Sequence, residues 1–228
     1  MSDPSLDRYY VALGAAFARG RLSELATLAD DAAVFREALA RGLRMHKFKR
    51  LDERLLARVR RVLSLLRNLA PSSLLDVGSG RGAFLWPLLD AFPALEVTAI
   101  DRDEQRAAGL AAIGIGIGIG VGQEGRSRLA AAQMDATALR YANDAFDGTT
   151  LLEVLEHMSE PARAAREAVR VSRRFVIASV PSKADNNPEH IQLFDRASLT
   201  ALFEDAGARR VTVDYVPGHI IALALLDS

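Results

Sequence analysis

Residues 74–82 read Leu-Leu-Asp-Val-Gly-Ser-Gly-Arg-Gly, and this stretch decides how the rest of the chain is interpreted. A short apolar run ends in the acid Asp76 and opens directly into three glycines at alternate positions. The residues that follow, 83–86, favour a helix, so the pattern predicts a buried parallel strand, a tight turn and a helix start. Because glycine lacks a Cβ atom, such a turn can adopt positive φ and bring a ligand close to the backbone.

Two ligand classes fit this turn. The spacing Gly78-x-Gly80-x-x-Ala83 satisfies the loose dinucleotide fingerprint, which places a pyrophosphate on the helix N-terminus. The longer string from Asp76 to Gly82 resembles the cofactor loop of class I S-adenosylmethionine (SAM)-dependent methyltransferases. The turn alone leaves both ligands open, and the rest of the chain decides between them.

Composition limits the function classes. The 228 residues are 50% hydrophobic and 25% charged, which is ordinary for one α/β core with an accessory segment. The formal net charge is zero, so no overall field attracts nucleic acid or an anionic membrane. The absence of cysteine excludes disulfides, thiolate metal sites and a cysteine nucleophile. No run of 18 apolar residues occurs, so we expect a cytoplasmic protein without a membrane segment.

The N-terminal part of the chain predicts helices only. Apolar residues recur at helical spacing within residues 5–69, which indicates three or four helices, the last over 52–69 and stopped by Pro71. We therefore interpret residues 1–70 as a helical cap or lid that closes over the cofactor and shapes the acceptor pocket. Residues 71–228 form the catalytic domain in this interpretation.

A basic segment lies inside the predicted cap. Residues 41–67 hold ten Lys/Arg against Asp52 and Glu53, a local net charge of +8. One interpretation is a patch for RNA or another anionic substrate. The alternative, which we favour, is a solvated helix face whose arginines pair with acids elsewhere in a neutral protein.

Six further strands are predicted after the glycine turn, over residues 95–100, 127–133, 146–152, 174–180, 209–216 and 219–226. Helices are predicted over 83–91, 161–171 and 197–206. The alternating Ile-Gly repeat at 113–122 is too rich in glycine for a stable strand, so we expect a mobile excursion there. These elements specify a doubly wound, mostly parallel α/β sheet with one antiparallel strand from a C-terminal hairpin.

Two acids follow strands at the predicted binding edge. Asp101 ends the second strand about 20 residues past the glycines, where a carboxylate accepts hydrogen bonds from both hydroxyls of a ribose. The alternative is that Asp101 only caps the next helix. Asp135 follows the third strand, where a carboxylate accepts the exocyclic amine of adenine.

The combination over residues 71–226 resembles the seven-stranded Rossmann-like fold of class I SAM-dependent methyltransferases, including the quinone-biosynthesis O-methyltransferases. The resemblance implies a cofactor site formed by Asp76, Gly78, Ser79, Gly80, Gly82, Asp101, Arg102, Asp135, Ala136 and Glu153. In it the glycine turn cradles the methionyl and ribosyl parts of SAM. Asp76 orients the turn and reaches the amino group of the cofactor through water.

The resemblance implies methyl transfer to an oxygen or nitrogen of a small-molecule acceptor. Three alternatives remain: an RNA 2′-O-methyltransferase with a divalent metal, a non-catalytic SAM-binding module, and an NAD-dependent Rossmann oxidoreductase. The oxidoreductase needs a second mononucleotide half or a substrate domain, and too little chain remains after residue 150 for either. The oligomeric state is not predicted.

An oxygen acceptor also has to lose a proton, which requires a base or a metal near neutral pH. The candidates at the ends of the fourth and fifth strands are Glu153, Glu156, His157 and His190. On a helical turn Glu153, Glu156 and His157 project from one side, and with His190 they suit a divalent ion. The Glu-x-x-Glu-His string is similar to that of small-RNA 3′-terminal 2′-O-methyltransferases and quinone O-methyltransferases. The alternative is that His157 is a base or a satisfied polar group without a metal.

Overall fold

A computed structural model describes the residues 11, 14–15, 18–19, 21–43, 56–80, 82–116, 128–184 and 186–227. At residues 112–116 only the backbone is described. Structural statements below refer to these residues.

A seven-stranded sheet organises the described residues. Its strands are β1 Ser73–Val77, β2 Glu96–Asp101, β3 Leu129–Gln133, β4 Phe146–Leu152, β5 Ser172–Pro181, β6 Arg210–Val216 and β7 His219–Leu225. They lie in the order β3-β2-β1-β4-β5-β7-β6. The pairs among β1 to β5 are parallel, whereas β7 runs antiparallel to both β5 and β6. The predicted mostly parallel sheet with one antiparallel strand from the terminal hairpin is therefore confirmed.

The described α-helices are α1 Asp31–Ala40, α2 Ala57–Leu69, α3 Leu85–Ala91, α4 Glu104–Gly116, α5 Pro161–Val171 and α6 Arg196–Asp205. Short 3₁₀ turns cover Ser23–Thr27 and Leu155–His157. The last helix of the N-terminal part begins at Ala57 rather than at residue 52, and residues 52–55 lie outside the described ranges. It ends as predicted, because Ala70 adopts a left-handed φ of 45° directly before Pro71.

The sheet divides the core into two layers because successive strand residues point to opposite faces. In β1, Leu74 packs on one face and Leu75 on the other. The first face carries α2 to α4 together with buried residues of the N-terminal part, and the second face carries α5 and α6. The apolar residues of α2 at helical spacing, Val59, Val62, Leu63 and Leu66, are buried in the first layer. The described N-terminal helices thus share one core with the sheet.

The described part of the Ile-Gly repeat, residues 113–116, differs from the predicted mobile excursion. Helix α4 continues to Gly116, so residues 113–116 are helical instead of beginning an excursion. Glycine is a poor helix former, but a helix that has already formed gains one hydrogen bond for each residue it adds. The remaining residues of the repeat, 117–122, lie outside the described ranges.

Several arginines of the basic segment contact carboxylates. Arg41 donates to Glu24 at 2.7 Å and to Glu37 at 2.8 Å, and the Nε atom of Arg61 lies 2.8 Å from Asp214. These contacts support the interpretation of a paired, solvated face for the described part of the segment. Residues 44–55 lie outside it. In the described ranges, none of the helices is long and apolar enough to cross a membrane.

Candidate functional site

A cavity of about 460 Å³ lies where the carboxyl ends of the parallel strands meet. Its lining contains nine of the ten predicted cofactor residues, which are Asp76, Gly78, Ser79, Gly80, Asp101, Arg102, Asp135, Ala136 and Glu153. Gly82, the tenth, lies outside the lining. Strands β1 to β5 all end at this edge because they run in one direction. The residues that follow the ends of these strands therefore lie next to one another around one opening.

The three glycines of the turn are required for different reasons. All have positive φ, 70° at Gly78, 57° at Gly80 and 79° at Gly82. A Cβ atom at Gly78 would lie 2.5 Å from Val154, and one at Gly82 would lie 2.1 Å from the indole of Trp86. At Gly80 the nearest atom would be a backbone oxygen at 3.8 Å. Gly78 and Gly82 therefore permit close packing, whereas Gly80 leaves room toward the cavity.

Asp76 fixes the shape of the turn from below. Its Oδ2 atom accepts the hydroxyl of Ser79 at 2.6 Å, and its Oδ1 atom accepts the hydroxyl of Thr150 at 2.7 Å. The residue is 2% exposed. Burial raises the pKa of Asp76 to about 6 even though both hydrogen bonds favour the charged form. Asp76 is thus a buried acid at the boundary of ionisation near neutral pH.

Asp101 is held by two backbone amides. Its Oδ2 atom accepts the N–H of Gly80 and its Oδ1 atom that of Asp103, both at 2.9 Å. Helix α4 begins at Glu104 and is capped by Asp103, whose Oδ1 atom accepts the N–H of Arg106 at 3.1 Å. Asp101 therefore holds the capping residue, and its bond to Gly80 joins the end of β2 to the glycine turn. Each carboxylate oxygen has two lone pairs, so one on each oxygen remains for a further donor. The alternative that Asp101 only caps the next helix is therefore wrong, and its carboxylate lines the cavity.

Asp135 stands beyond β3 at the far end of the cavity. Its Oδ1 atom accepts both the N–H and the hydroxyl of Thr137 at 2.8 Å. These two hydrogen bonds hold the pKa of Asp135 below its usual range. The side chain is therefore a fixed, ionised acceptor beside Ala136 and Arg102.

Glu153 has surroundings that its sequence position did not reveal. It adopts a left-handed φ of 60°, and its N–H donates to the carbonyl of Ser179 at 2.9 Å. Its Oε1 atom accepts the hydroxyl of Ser179 at 3.0 Å, and its Oε2 atom lies 2.9 Å from Nε2 of His219. The Nε atom of Arg58 lies 4.0 Å from Oε1. Burial would raise the pKa of Glu153, but the His219 hydrogen bond and the Arg58 charge hold it below its usual value.

Sequence reasoning missed Arg58 and His219. The sequence did contain a signal for His219: as the first residue of an antiparallel strand, it begins at the edge where the parallel strands end. In the structure His219 pairs with Pro181, the last residue of β5. Arg58 was counted only as part of the basic segment, yet it lines the cavity from the first turn of α2.

The remaining catalytic candidates form a second group. One ligand atom each of Glu156, His157 and His190 lies within 4.8 Å of the others, and the two imidazole rings are 4.7 Å apart. Nδ1 of His157 lies 2.9 Å from the carbonyl oxygen of Glu189. Glu153 is not in this group, because the turn begins only at Leu155. The predicted common face of Glu153, Glu156 and His157 is therefore wrong.

The loop after β5 is held over this group by one backbone hydrogen bond and by the side chain of Gln192. The N–H of Ile191 donates to the carbonyl of Glu156 at 2.9 Å, and the amide of Gln192 donates to the carbonyls of Leu155 and Met158. These bonds bring His190 beside His157, although the two are far apart in the sequence. His157 also lines the cavity.

The chain was compared with family models, curated proteins and solved structures. A family model described as a methyltransferase domain matches residues 47–213, more than half of the chain. A search of curated proteins finds no match.

Solved structures share the fold at low sequence identity. A SAM-dependent methyltransferase from Aquifex aeolicus is 19% identical with a TM-score of 0.64, over 79% of this chain and 96% of that one. Magnesium protoporphyrin IX methyltransferase from Synechocystis PCC 6803, with bound SAH, is 18% identical with a TM-score of 0.57, over 75% and 82%. A possible histamine N-methyltransferase from Thermotoga maritima is 16% identical with a TM-score of 0.57, over 76% and 89%. At these identities the likeness concerns the fold alone.

Proposed function

The chain belongs to the methyltransferase-domain family, and we propose that it transfers the methyl group of SAM to an oxygen of a small-molecule acceptor. The resemblance in the sequence implied a SAM-dependent methyltransferase with SAM as its cofactor, and this prediction is confirmed. Family membership decides against the nicotinamide-dependent oxidoreductase. The acceptor and the roles of individual residues are the subject of the proposal.

The cavity residues fit SAM in the order of the strands. Asp135, Asp101, Gly80 and Glu153 follow or end β3, β2, β1 and β4, which are neighbours in that order. Adjacent strands lie about 4.8 Å apart, so these residues span roughly 14 Å along the edge. An extended adenosine joined to an amino acid matches this arrangement: adenine at Asp135, ribose at Asp101 and the methionyl part at the glycine turn. The open space at Gly80 leaves room for the ligand against the backbone.

SAM supplies a sulfonium methyl group that is already activated for displacement. The chain has to hold the acceptor in line with that methyl, and such positioning corresponds to effective molarities of ~10⁵ M and more. An oxygen acceptor also needs a base. The cavity volume of about 460 Å³ is typical of small-ligand sites and suits SAM. A small-molecule acceptor is supported over RNA because Arg41 and Arg61 of the basic segment contact carboxylates.

The observation that carries the proposal is the contact of His157 with the carbonyl of Glu189. A carbonyl only accepts, so Nδ1 of His157 carries the proton, and in neutral imidazole Nε2 then keeps a lone pair. Since His157 lines the cavity, this atom is the acceptor of the proton in the proposal.

The test is an acceptor screen with phenols, catechols, carboxylic acids and amines, read by release of SAH from SAM. With an active acceptor, His157→Ala should lower kcat about 10²- to 10⁴-fold. Glu204→Ala, on the exposed side of α6 and outside the cavity lining, is the control and should retain the activity. A His157→Ala protein that keeps the wild-type rate at every pH contradicts the base assignment.

A divalent metal is a second candidate, favoured by the group of Glu156, His157 and His190. One carboxylate and two imidazoles suit Zn²⁺, Mn²⁺ or Fe²⁺, and three protein ligands leave a coordination position for an acceptor oxygen. In this case His190→Ala should abolish both metal binding and activity, and Mn²⁺ should restore activity to chelated wild type. Full activity after exhaustive chelation eliminates the metal and leaves His157 as the base.

We also propose that residues 1–70 act as the cap of the site. Arg58 and Val59 of α2 line the cavity, which supports this role. The same segment contributes Leu25, Val34 and Ala38 to the core. Removing residues 1–50 would therefore expose buried surface, so point substitutions in α2 test the cap better than truncation does.

A further inference from the structure

We propose that Arg58 and Glu153 clamp the zwitterionic α-amino acid group of the cofactor, with His219 as the residue that positions Glu153. The proposal rests on SAM binding in the cavity described above. Arg58 takes the carboxylate of the methionyl part, and Glu153 takes its ammonium group.

The two side chains offer neighbouring charges of opposite sign at one wall of the cavity. Both line it, and the Nε atom of Arg58 lies 4.0 Å from Oε1 of Glu153. That separation exceeds a hydrogen bond, so neither group is saturated by the other. An α-amino acid carries an ammonium and a carboxylate on adjacent atoms, and it complements such a pair. A guanidinium is also well suited to a carboxylate because its planar fork binds both oxygens.

The clamp lies at the correct end of the site. Val77 of β1 pairs with Leu151 of β4, two residues before Glu153. Gly78 packs against Val154, so the glycine turn and Glu153 are direct neighbours. Asp101 stands on the opposite side of β1, at the end of β2. A ligand with its ribose at Asp101 therefore directs its amino acid part toward β4.

Asp76 is a poorer partner for the ammonium group than Glu153. Each oxygen of both carboxylates already has one partner, but Asp76 is 2% exposed beneath the turn and burial raises its pKa. Both residues line the cavity, but the side chain of Glu153 is 24% exposed. The His219 hydrogen bond and the Arg58 charge also favour its ionised form.

His219 acts through Glu153. Its Nε2 atom lies 2.9 Å from Glu153 but 3.4 Å from a nitrogen of Arg58, so the shorter contact assigns the Nε2 proton to the carboxylate. This contact holds a glutamate whose left-handed φ is unfavourable by itself, together with the hydroxyl that Ser179 donates to Glu153 and the N–H that Glu153 donates to the carbonyl of Ser179. His219 is absent from the cavity lining among the described residues.

The experiment compares three ligands by calorimetry on the full chain. SAH carries the whole amino acid group, decarboxylated SAM keeps the amine without the carboxylate, and 5′-methylthioadenosine has neither. Arg58→Met should weaken SAH about 10- to 100-fold and leave the other two ligands unchanged. Glu153→Gln should weaken SAH and decarboxylated SAM by a similar factor and leave methylthioadenosine unchanged.

His219 is tested in the same assay. His219→Ala should reproduce the pattern of Glu153→Gln, whereas His219→Gln should restore much of the affinity because the glutamine amide supplies a donor in place of Nε2. A general structural defect would weaken all three ligands alike. Arg58→Lys, which keeps the charge, should fall between wild type and Arg58→Met.

The same assay distinguishes a failure of SAM binding from a failure of the clamp. Asp101→Asn serves as the control and should weaken all three ligands, since each contains the ribose. If wild type binds none of them, SAM binding itself fails. If Arg58→Met and Glu153→Gln weaken methylthioadenosine as much as SAH, the clamp is overturned while SAM binding stands. If these variants keep full SAH affinity and lose only acceptor affinity, the pair belongs to the acceptor site and the clamp is also overturned.

Discussion

Replacing Asp76 by asparagine should stabilise the protein at pH 8. The buried carboxylate has a pKa of about 6 in place of its usual 3.8. At roughly 1.4 kcal/mol per pKa unit, the ionised form therefore reduces the free energy of unfolding by about 3 kcal/mol. Asparagine removes this charge from the interior. Its oxygen can accept from Thr150, and its amide can donate to Ser79, whose hydroxyl then turns to the backbone carbonyl of residue 76 at 3.0 Å.

The direction in which Asp76 changes the free energy of unfolding with pH follows from proton uptake. Between about pH 4 and 6 the folded protein keeps a proton on Asp76 that the unfolded chain has lost. The favourable contribution of Asp76 is therefore complete below pH 4, declines as the pH rises through 6, and is absent at pH 8. The variant lacks this dependence. Its advantage over wild type should be close to zero at pH 4 and should approach about 3 kcal/mol at pH 8.

Urea unfolding of both proteins from pH 4 to 8 measures this difference directly. Asp205→Asn on the exposed side of α6 is a matched control, and it should change the free energy of unfolding by less than about 0.5 kcal/mol. The variant should also bind SAM more weakly, because a negative charge beneath the turn favours the cationic ligand. An advantage that is equal at all pH values, or a loss of stability at pH 8, refutes the reasoning.

Three further predictions follow from single contacts. Asp101→Ala should weaken SAM binding by ~1–3 kcal/mol in calorimetry, and unchanged affinity would remove Asp101 from the site. Gly82→Ala should unfold at lower urea than Gly80→Ala, because only the first substitution drives a Cβ atom into the buried indole of Trp86; equal midpoints contradict this. Burial would raise the pKa of Asp147, but hydrogen bonds from its neighbours hold it well below the usual range. Asp147→Asn should therefore cost ~1–3 kcal/mol at pH 7, and this cost should shrink as the pH falls below about 4; a constant cost would show that the charge is not responsible.

The order of elements was predictable because each strand is a short apolar run bounded by turn residues. The bounds of β4 and α5 agree with the prediction, the latter because Pro161 marks the first helical turn. The start of β5 was missed by two residues. Helix α5 ends at Val171 and the strand begins at Ser172, so no turn residue separates them. A boundary of this kind is set by pairing with β4, and the local sequence carries no signal for it.

The site was predictable where it depends on strand ends and unpredictable where it depends on contacts across the sheet. Asp101 and Asp135 follow directly from the rule that parallel strands end at one edge. The contact joins Glu153, which follows β4, with His219, the first residue of β7, and the two are neighbours only because of the strand order. The left-handed φ of Glu153 also had no sequence signal, since glycine or asparagine is usual there. The sequence pattern therefore grouped Glu153 with His157 and His190, whereas Glu153 contacts His219.

The direction of β7 explains how the end of the chain reaches the cavity. A parallel strand begins at the edge opposite the binding edge, so its first residue lies far from the site. Strand β7 is antiparallel, and its first residue, His219, pairs with Pro181 at the end of β5. The N–H of Ser182 donates to the carbonyl of Gly218 at 3.0 Å, which fixes the hairpin turn to the same edge. The one reversed strand thus places an imidazole behind Glu153, and a parallel strand at this position could not do so.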